Sequence, residues 1–93
     1  MNKISEKERE FLDLLQEECA EVIQIASKIK RFGWDSYHPQ DELKISNQEH
    51  LESESSDFLA IFEILTSRGF ITKSNVDEKI IIKLKKLKAM KII

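Results

Sequence analysis

Between Phe11 and Ile29 the chain repeats its apolar side chains at helical spacing, and no Gly or Pro interrupts them. At about 100° per residue, Phe11, Leu15, Val22, Ala26 and Ile29 share one narrow stripe, with Leu14 and Ile25 at its edge. That pattern specifies an amphipathic helix and excludes a strand, whose side chains alternate between two faces. One residue keeps the spacing and breaks the chemistry. Glu18 projects within about 20° of Phe11, inside the apolar face. Glu21 borders the stripe one turn on, and Glu17 lies further round. Burying a carboxylate is costly unless something pairs it. No Lys or Arg of this helix shares the inner face near Glu18, so its partner comes from elsewhere, and a cation is one candidate.

A second stretch repeats the device. Leu51, Phe58, Ile61, Phe62 and Leu65 form a helical stripe; Glu54 projects into it, and Asp57 lies at its border one turn on. If the two apolar faces pack together, Glu18, Glu21, Glu54 and Asp57 converge. Four anions share a half-buried site only when protons or a metal neutralise them. An all-oxygen donor set suits Mg²⁺ or Mn²⁺ rather than zinc. The bland alternative for Glu18 and Glu54 is a buried salt bridge to a lysine of the basic C-terminal stretch.

Two Gly and one Pro in 93 residues leave little material for turns, so few, long elements are expected. Residues 1 to 4 carry no helix signal and are expected to fray. Ser5 with Glu8 forms a capping box, opening a helix over about 6 to 32 that Gly33 ends. Residues 33 to 45 form a loop holding the only Trp, Tyr and Pro. Ser46 with Glu49 opens a second helix over about 47 to 68, stopped at Arg68-Gly69. Ser74 or Asn75 caps a third, running to about 90, with a stripe of Val76, Ile80, Leu84 and Leu87 among many lysines. The expected fold is therefore all-α, a single domain over residues 1–93, with the first two helices antiparallel. Three helices build a thin core, and Ile64, Ile81 and Ile82 fall off their stripes. An isologous dimer that completes a four-helix or larger bundle answers both.

The paired motifs carry a resemblance. EExxE over Glu17–Glu21, followed on a later helix by ExxD over Glu54–Asp57, resembles the MazG-like all-α nucleoside triphosphate pyrophosphohydrolases. The likeness covers roughly residues 8 to 68, and Lys28-Ile29-Lys30-Arg31-Phe32-Gly33 with His38-Pro39 is similar to small, phage-type members. The interval between the motifs is longer than in many members, and Ser53 stands where many have a second Glu. The resemblance implies cleavage of a nucleoside triphosphate between its α and β phosphates, giving a monophosphate and pyrophosphate. It implies Mg²⁺, with Mn²⁺ as a substitute, held by Glu18, Glu21, Glu54 and Asp57. Glu17 or Glu21 would orient the attacking water or take its proton. Lys28 and Arg31 would meet phosphate, as would Lys83, which matches a phosphate-contacting family position; the bland alternative for Lys28, Lys30 and Arg31 is a helix C-terminus satisfying its dipole. Trp34, Tyr37 and His38 would stack on the base or anchor the loop by their apolar surface. It also implies a homodimer or homotetramer.

Composition removes other classes. A formal net charge of −2, from 15 basic and 17 acidic residues, argues against general nucleic-acid binding. No apolar run approaches a membrane span, no secretory signal pattern opens the sequence, and a cytoplasmic location is expected. The lone Cys19 has no internal disulfide partner and reads as a small core residue. No P-loop supports a kinase or ATPase of that type. The competing function is a non-catalytic helical module that binds nucleotide or another protein, its acids tied up in salt bridges.

Overall fold

The computed structural model describes residues 3–93. Of the expected frayed start, residues 1 and 2 lie outside the described residues, and Lys3 and Ile4 are non-helical. Three helices follow in order: α1, Glu6–Phe32; α2, Asn47–Ser67; α3, Lys73–Ala89. No strand occurs among the described residues. The chain divides into two compact units, one ending at Phe62, within α2, and one spanning Glu63–Ile93.

In the first unit, local chemistry sets the helix ends. The Ser5 hydroxyl accepts the Glu8 amide at 3.0 Å, and Glu6 and Glu8 in the first turn complement the helix dipole. Gly33 closes α1 by donating its N–H to Ile29 O at 2.8 Å. Its φ of 94° and ψ of 168° belong to a region that only glycine enters without strain. A side chain there would meet no neighbour, so its penalty would be purely torsional.

The start of α2 is tied back to this turn. Asn47, buried, donates its side-chain amide to Gly33 O at 3.0 Å and its backbone N–H to Ser36 O at 2.8 Å. The Gln48 N–H reaches Trp34 O, while Ser46 serves Glu49 N with its hydroxyl and His50 N with its carbonyl. The leading amides that a helix leaves orphaned are thus all satisfied. Between these ties, Asp41 accepts the Leu43 and Ile45 amides on its two carboxylate oxygens and shapes the loop. Gly33 pairs with Asn47, and Glu21 with Glu54 further along, so α1 and the first part of α2 run antiparallel.

The core of this unit is thin. Phe11 and Ile25 are buried, and Leu14, Leu15, Glu18, Val22 and Ile29 are half-buried. Ala26, placed on the central stripe by spacing, is exposed. Burial centres instead on Ile25, one position earlier on the helix.

In the second unit, α2 ends at Ser67 in a Schellman arrangement: Gly69 N–H to Thr66 O, Phe70 N–H to Leu65 O, with Gly69 at φ 78°. Leu65 is buried. Ile64, expected to be spare, is half-buried. Apolar residues at 61, 62, 64 and 65 span a wider arc than a single stripe. The third helix starts earlier than its cap signals indicate. Thr72 is the N-cap, in extended conformation and with no side-chain bond, and Lys73 pairs with Asp77 at 2.8 Å. No side chain of α3 is buried, and its intended stripe residues Ile80 and Leu84 are half exposed. Ile81 and Ile82 are exposed as expected.

Candidate metal centre

The antiparallel pairing brings the two acidic motifs of the first unit together. One carboxylate oxygen from each of Glu18, Glu21, Glu54 and Asp57 lies within 4.8 Å of the others. Periodicity placed them here: Glu18 and Glu54 occupy the packed face, half-buried, with Glu21 half-buried and Asp57 exposed at the rim. Glu17 is exposed outside the cluster, close enough for its charge to act on Glu18.

The electrostatics are those of anions held together without a counter-charge. Oε2 of Glu18 and Oε2 of Glu54 are both shut off from water with no hydrogen-bond partner. Partial burial raises the Glu18 pKa above 4.5, and the charges of Glu21, Asp57 and Glu17 add to it. Glu54 is pushed up to about 7, first by the hydrogen bond that its protonated form can make with Glu21, then by burial, then by the negative charges around it. That hydrogen bond exists only while one of the two carboxyls holds a proton; with both ionised, acceptor faces acceptor. All the charges shifting the two groups are negative, which is not the signature of a salt bridge to lysine.

The residues fit a hard divalent cation. The donors are all oxygen, and two of them lack any partner in a place closed to water. Opposed ligands on Mg²⁺ stand about 4.2 Å apart and on Ca²⁺ about 5 Å, so a small side-chain adjustment suits either.

No family model, curated protein or solved structure matches this chain.

One cavity adjoins the cluster, and a second shares two of its lining residues. The first, about 270 Å³, is bordered by Glu21, Glu54, Gln24, Lys28 and His50. The other, about 370 Å³, is mostly apolar and lies under the loop, against Phe32, Tyr37 and His38. Lys28 and His50 border both. Of the basic and aromatic candidates, Lys28 is thus the one set beside the carboxylates. Arg31 turns its guanidinium over the Phe32 ring, 5.2 Å from the centroid. Trp34 is 55% exposed and anchors the loop through its carbonyl, not its indole. Lys83 lies on α3, in the second unit.

Sequence reasoning missed His50, Gln24 and Asn47. A signal existed for His50, which precedes Glu54 by four residues and so shares its helix face. Among the described residues, no helix is long and apolar enough to cross a membrane.

Proposed function

We propose that this chain is a MazG-like, metal-dependent nucleoside triphosphate pyrophosphohydrolase, working in the cytoplasm. The observation that supports this reading is the convergence of four carboxylates with two buried, partnerless oxygens. Glu18, Glu21, Glu54 and Asp57 would hold Mg²⁺, or Mn²⁺ in its place. When bound, the cation neutralises phosphate oxygens at the scissile anhydride.

The chain's own groups divide the remaining work. Glu17, exposed beside the cluster, is available to take a proton from the attacking water, and Glu21 to orient it. Lys28 borders the cavity next to Glu21 and Glu54, where its ammonium would offset charge on the departing pyrophosphate.

The test is a panel of nucleoside triphosphates incubated with Mg²⁺, read by pyrophosphate release and product mass. At least one should yield its monophosphate and pyrophosphate in equal amounts. A rise of the melting midpoint with Mg²⁺ but no turnover of any nucleotide would leave a non-catalytic nucleotide binder. No rise with Mg²⁺ or Mn²⁺ would leave the protein-interaction module.

In this reading the protein works as a homodimer or homotetramer. Supporting it, Ile23 and Leu59 in the first unit, and Ile81 and Ile82 in the second, are each more than half exposed. Light scattering at micromolar concentration should give at least twice the 10.9 kDa chain mass. A stable monomer at that concentration refutes it.

A further inference from the structure

We propose that α3, with the residues that follow it, docks on an anionic phospholipid surface and holds the protein against a membrane without crossing it. The proposal goes beyond the nucleotide reading and does not depend on it.

Charge segregation is the first argument. Residues 79–93 hold six of the chain's 15 basic residues and none of its 17 acidic ones. A net charge of −2 therefore conceals a strongly positive segment in the second unit. All six lysines are exposed, and no salt bridge among the described residues engages any of them. Asymmetry of this kind points to a polyanionic surface. On an anionic leaflet each lysine is worth about fivefold in affinity.

The apolar surface is the second. The other nine residues of this segment are all apolar, and of them only Leu87 is half-buried. Met90, Ile92 and Ile93 are each more than half exposed. Residues 73–93 contain no Arg and no aromatic side chain. Nucleic acid is gripped by the arginine fork and by stacking rings, and would leave this apolar surface in water. A bilayer interface takes both parts, hydrocarbon on one side and phosphate on the other.

Their arrangement is the third. At about 100° per residue, Leu87, Ile80, Leu84 and Ile81 fall within an arc of about 120°. Lys83, Lys79 and Lys86 border that arc on one side, and Lys88 and Lys85 stand around Ile81 at the other. Lysines so placed lay their stems along the apolar strip and carry their ammonium groups out to the headgroups. The end of the helix extends the strip. Ile92 N–H reaches Leu87 O at 2.9 Å across Lys91, whose φ is 60°, and this closure turns Ile92 back towards the Leu87 end. Of the large apolar side chains on α3 from Lys79 onward, Ile82 alone lies on the far side. No helix among the described residues is long and apolar enough to span a membrane, so α3 lies along the surface.

The experiment is flotation of the full chain with vesicles of phosphatidylcholine alone, or of equal parts phosphatidylcholine and phosphatidylglycerol. The anionic vesicles should bind the chain about tenfold or more tightly than the neutral ones, and added salt should weaken that binding. Lys79→Gln with Lys86→Gln, both exposed, should leave the circular dichroism unchanged and cost about tenfold or more. Leu84→Ser should cost about tenfold, whereas Ile82→Ser should leave binding as it is. Equal binding to both vesicles, or equal loss in Leu84→Ser and Ile82→Ser, means unspecific apolar adsorption and overturns the proposal. If Leu84→Ser is found unfolded, the lysine pair decides alone: undiminished binding in that variant is fatal. Absence of binding to either vesicle also overturns it. A DNA oligonucleotide shifted by the same chain would then assign the lysines to nucleic acid. Lower assembled mass in Leu84→Ser with vesicle binding intact would assign the strip to a second copy, again against the proposal.

Discussion

Glu18→Gln and Glu54→Gln should each lower pyrophosphate release by about 10²-fold or more, while the metal-free fold keeps its stability or gains some. The two effects have opposite origins at the same atoms. With substrate and Mg²⁺ present, each substitution deletes one negative oxygen from a four-carboxylate donor set. The field that holds the ion weakens, and the charge developing on phosphate loses its counterweight. Without metal, the same change relieves repulsion among carboxylates that lie within 4.8 Å. At position 54 it also supplies an N–H donor to Glu21, where the carboxyl needed a proton to do so. A buried salt bridge makes the reverse prediction, because removing the acid strands a buried cation and destabilises the fold. Urea unfolding of metal-free wild type and both variants decides the sign. A clear loss of stability in both variants overturns the cation site. A preserved or raised midpoint, together with loss of the Mg²⁺-induced gain, removes the interaction-module alternative.

The metal-free protein should lose stability as pH rises from about 5 to 8, and Mg²⁺ should restore it only in the upper part of that range. Glu54 binds its proton more tightly folded than unfolded, with a pKa raised from 4.5 to about 7. Glu18 is shifted in the same direction. For an acid with a raised folded-state pKa, the contribution to stability is complete below the unfolded value. It disappears as pH rises through the folded one. The window therefore opens near 4.5 and closes near 7. The groups around these acids are Glu21, Asp57 and Glu17, with Lys28 and His50 on the adjoining cavity. Mg²⁺ competes with the bound proton for the same oxygens, so its gain in melting midpoint should be small at pH 5 and full by pH 8. Melts across this range, with EDTA and with Mg²⁺, provide the measurement. A metal-free midpoint that rises from pH 5 to 8 would contradict the crowded-carboxylate picture. In Glu54→Gln the fall with pH should flatten.

What the sequence disclosed follows the range over which each signal acts. Ser5 with Glu8, Ser46 with Glu49, Gly33 and Gly69 act within a few residues, and each marks the helix end where the structure has it. The inward placement of Glu18 and Glu54 was legible because helical period alone fixes direction once a face is buried. Thr72 was not legible as a cap, since it makes no side-chain bond and two better cap formers, Ser74 and Asn75, follow it. The Lys73–Asp77 pair shows that the helix already runs through that turn. His50 and Asn47 escaped notice because their surroundings are built by a loop from the other side of the chain. No local pattern encodes which carbonyl a distant amide will find. The tie that Trp34 makes, its carbonyl to the Gln48 amide, is a backbone contact that its side-chain type does not announce.

The clasp between Asn47 and Gly33 also orders the assembly of the first unit in time. It closes a loop across 14 positions, whereas Glu21 and Glu54 are separated by 33. Chain closure over the longer span costs about 0.8 kcal/mol more, by the logarithmic dependence on loop length. The longer closure also brings like charges together, so it offers less in return. Contacts nearest the loop are the cheapest to make, and each one shortens the remaining path between the helices. The hairpin is thus built to zip from the clasp outward, and the carboxylates meet only after the backbone behind them is fixed.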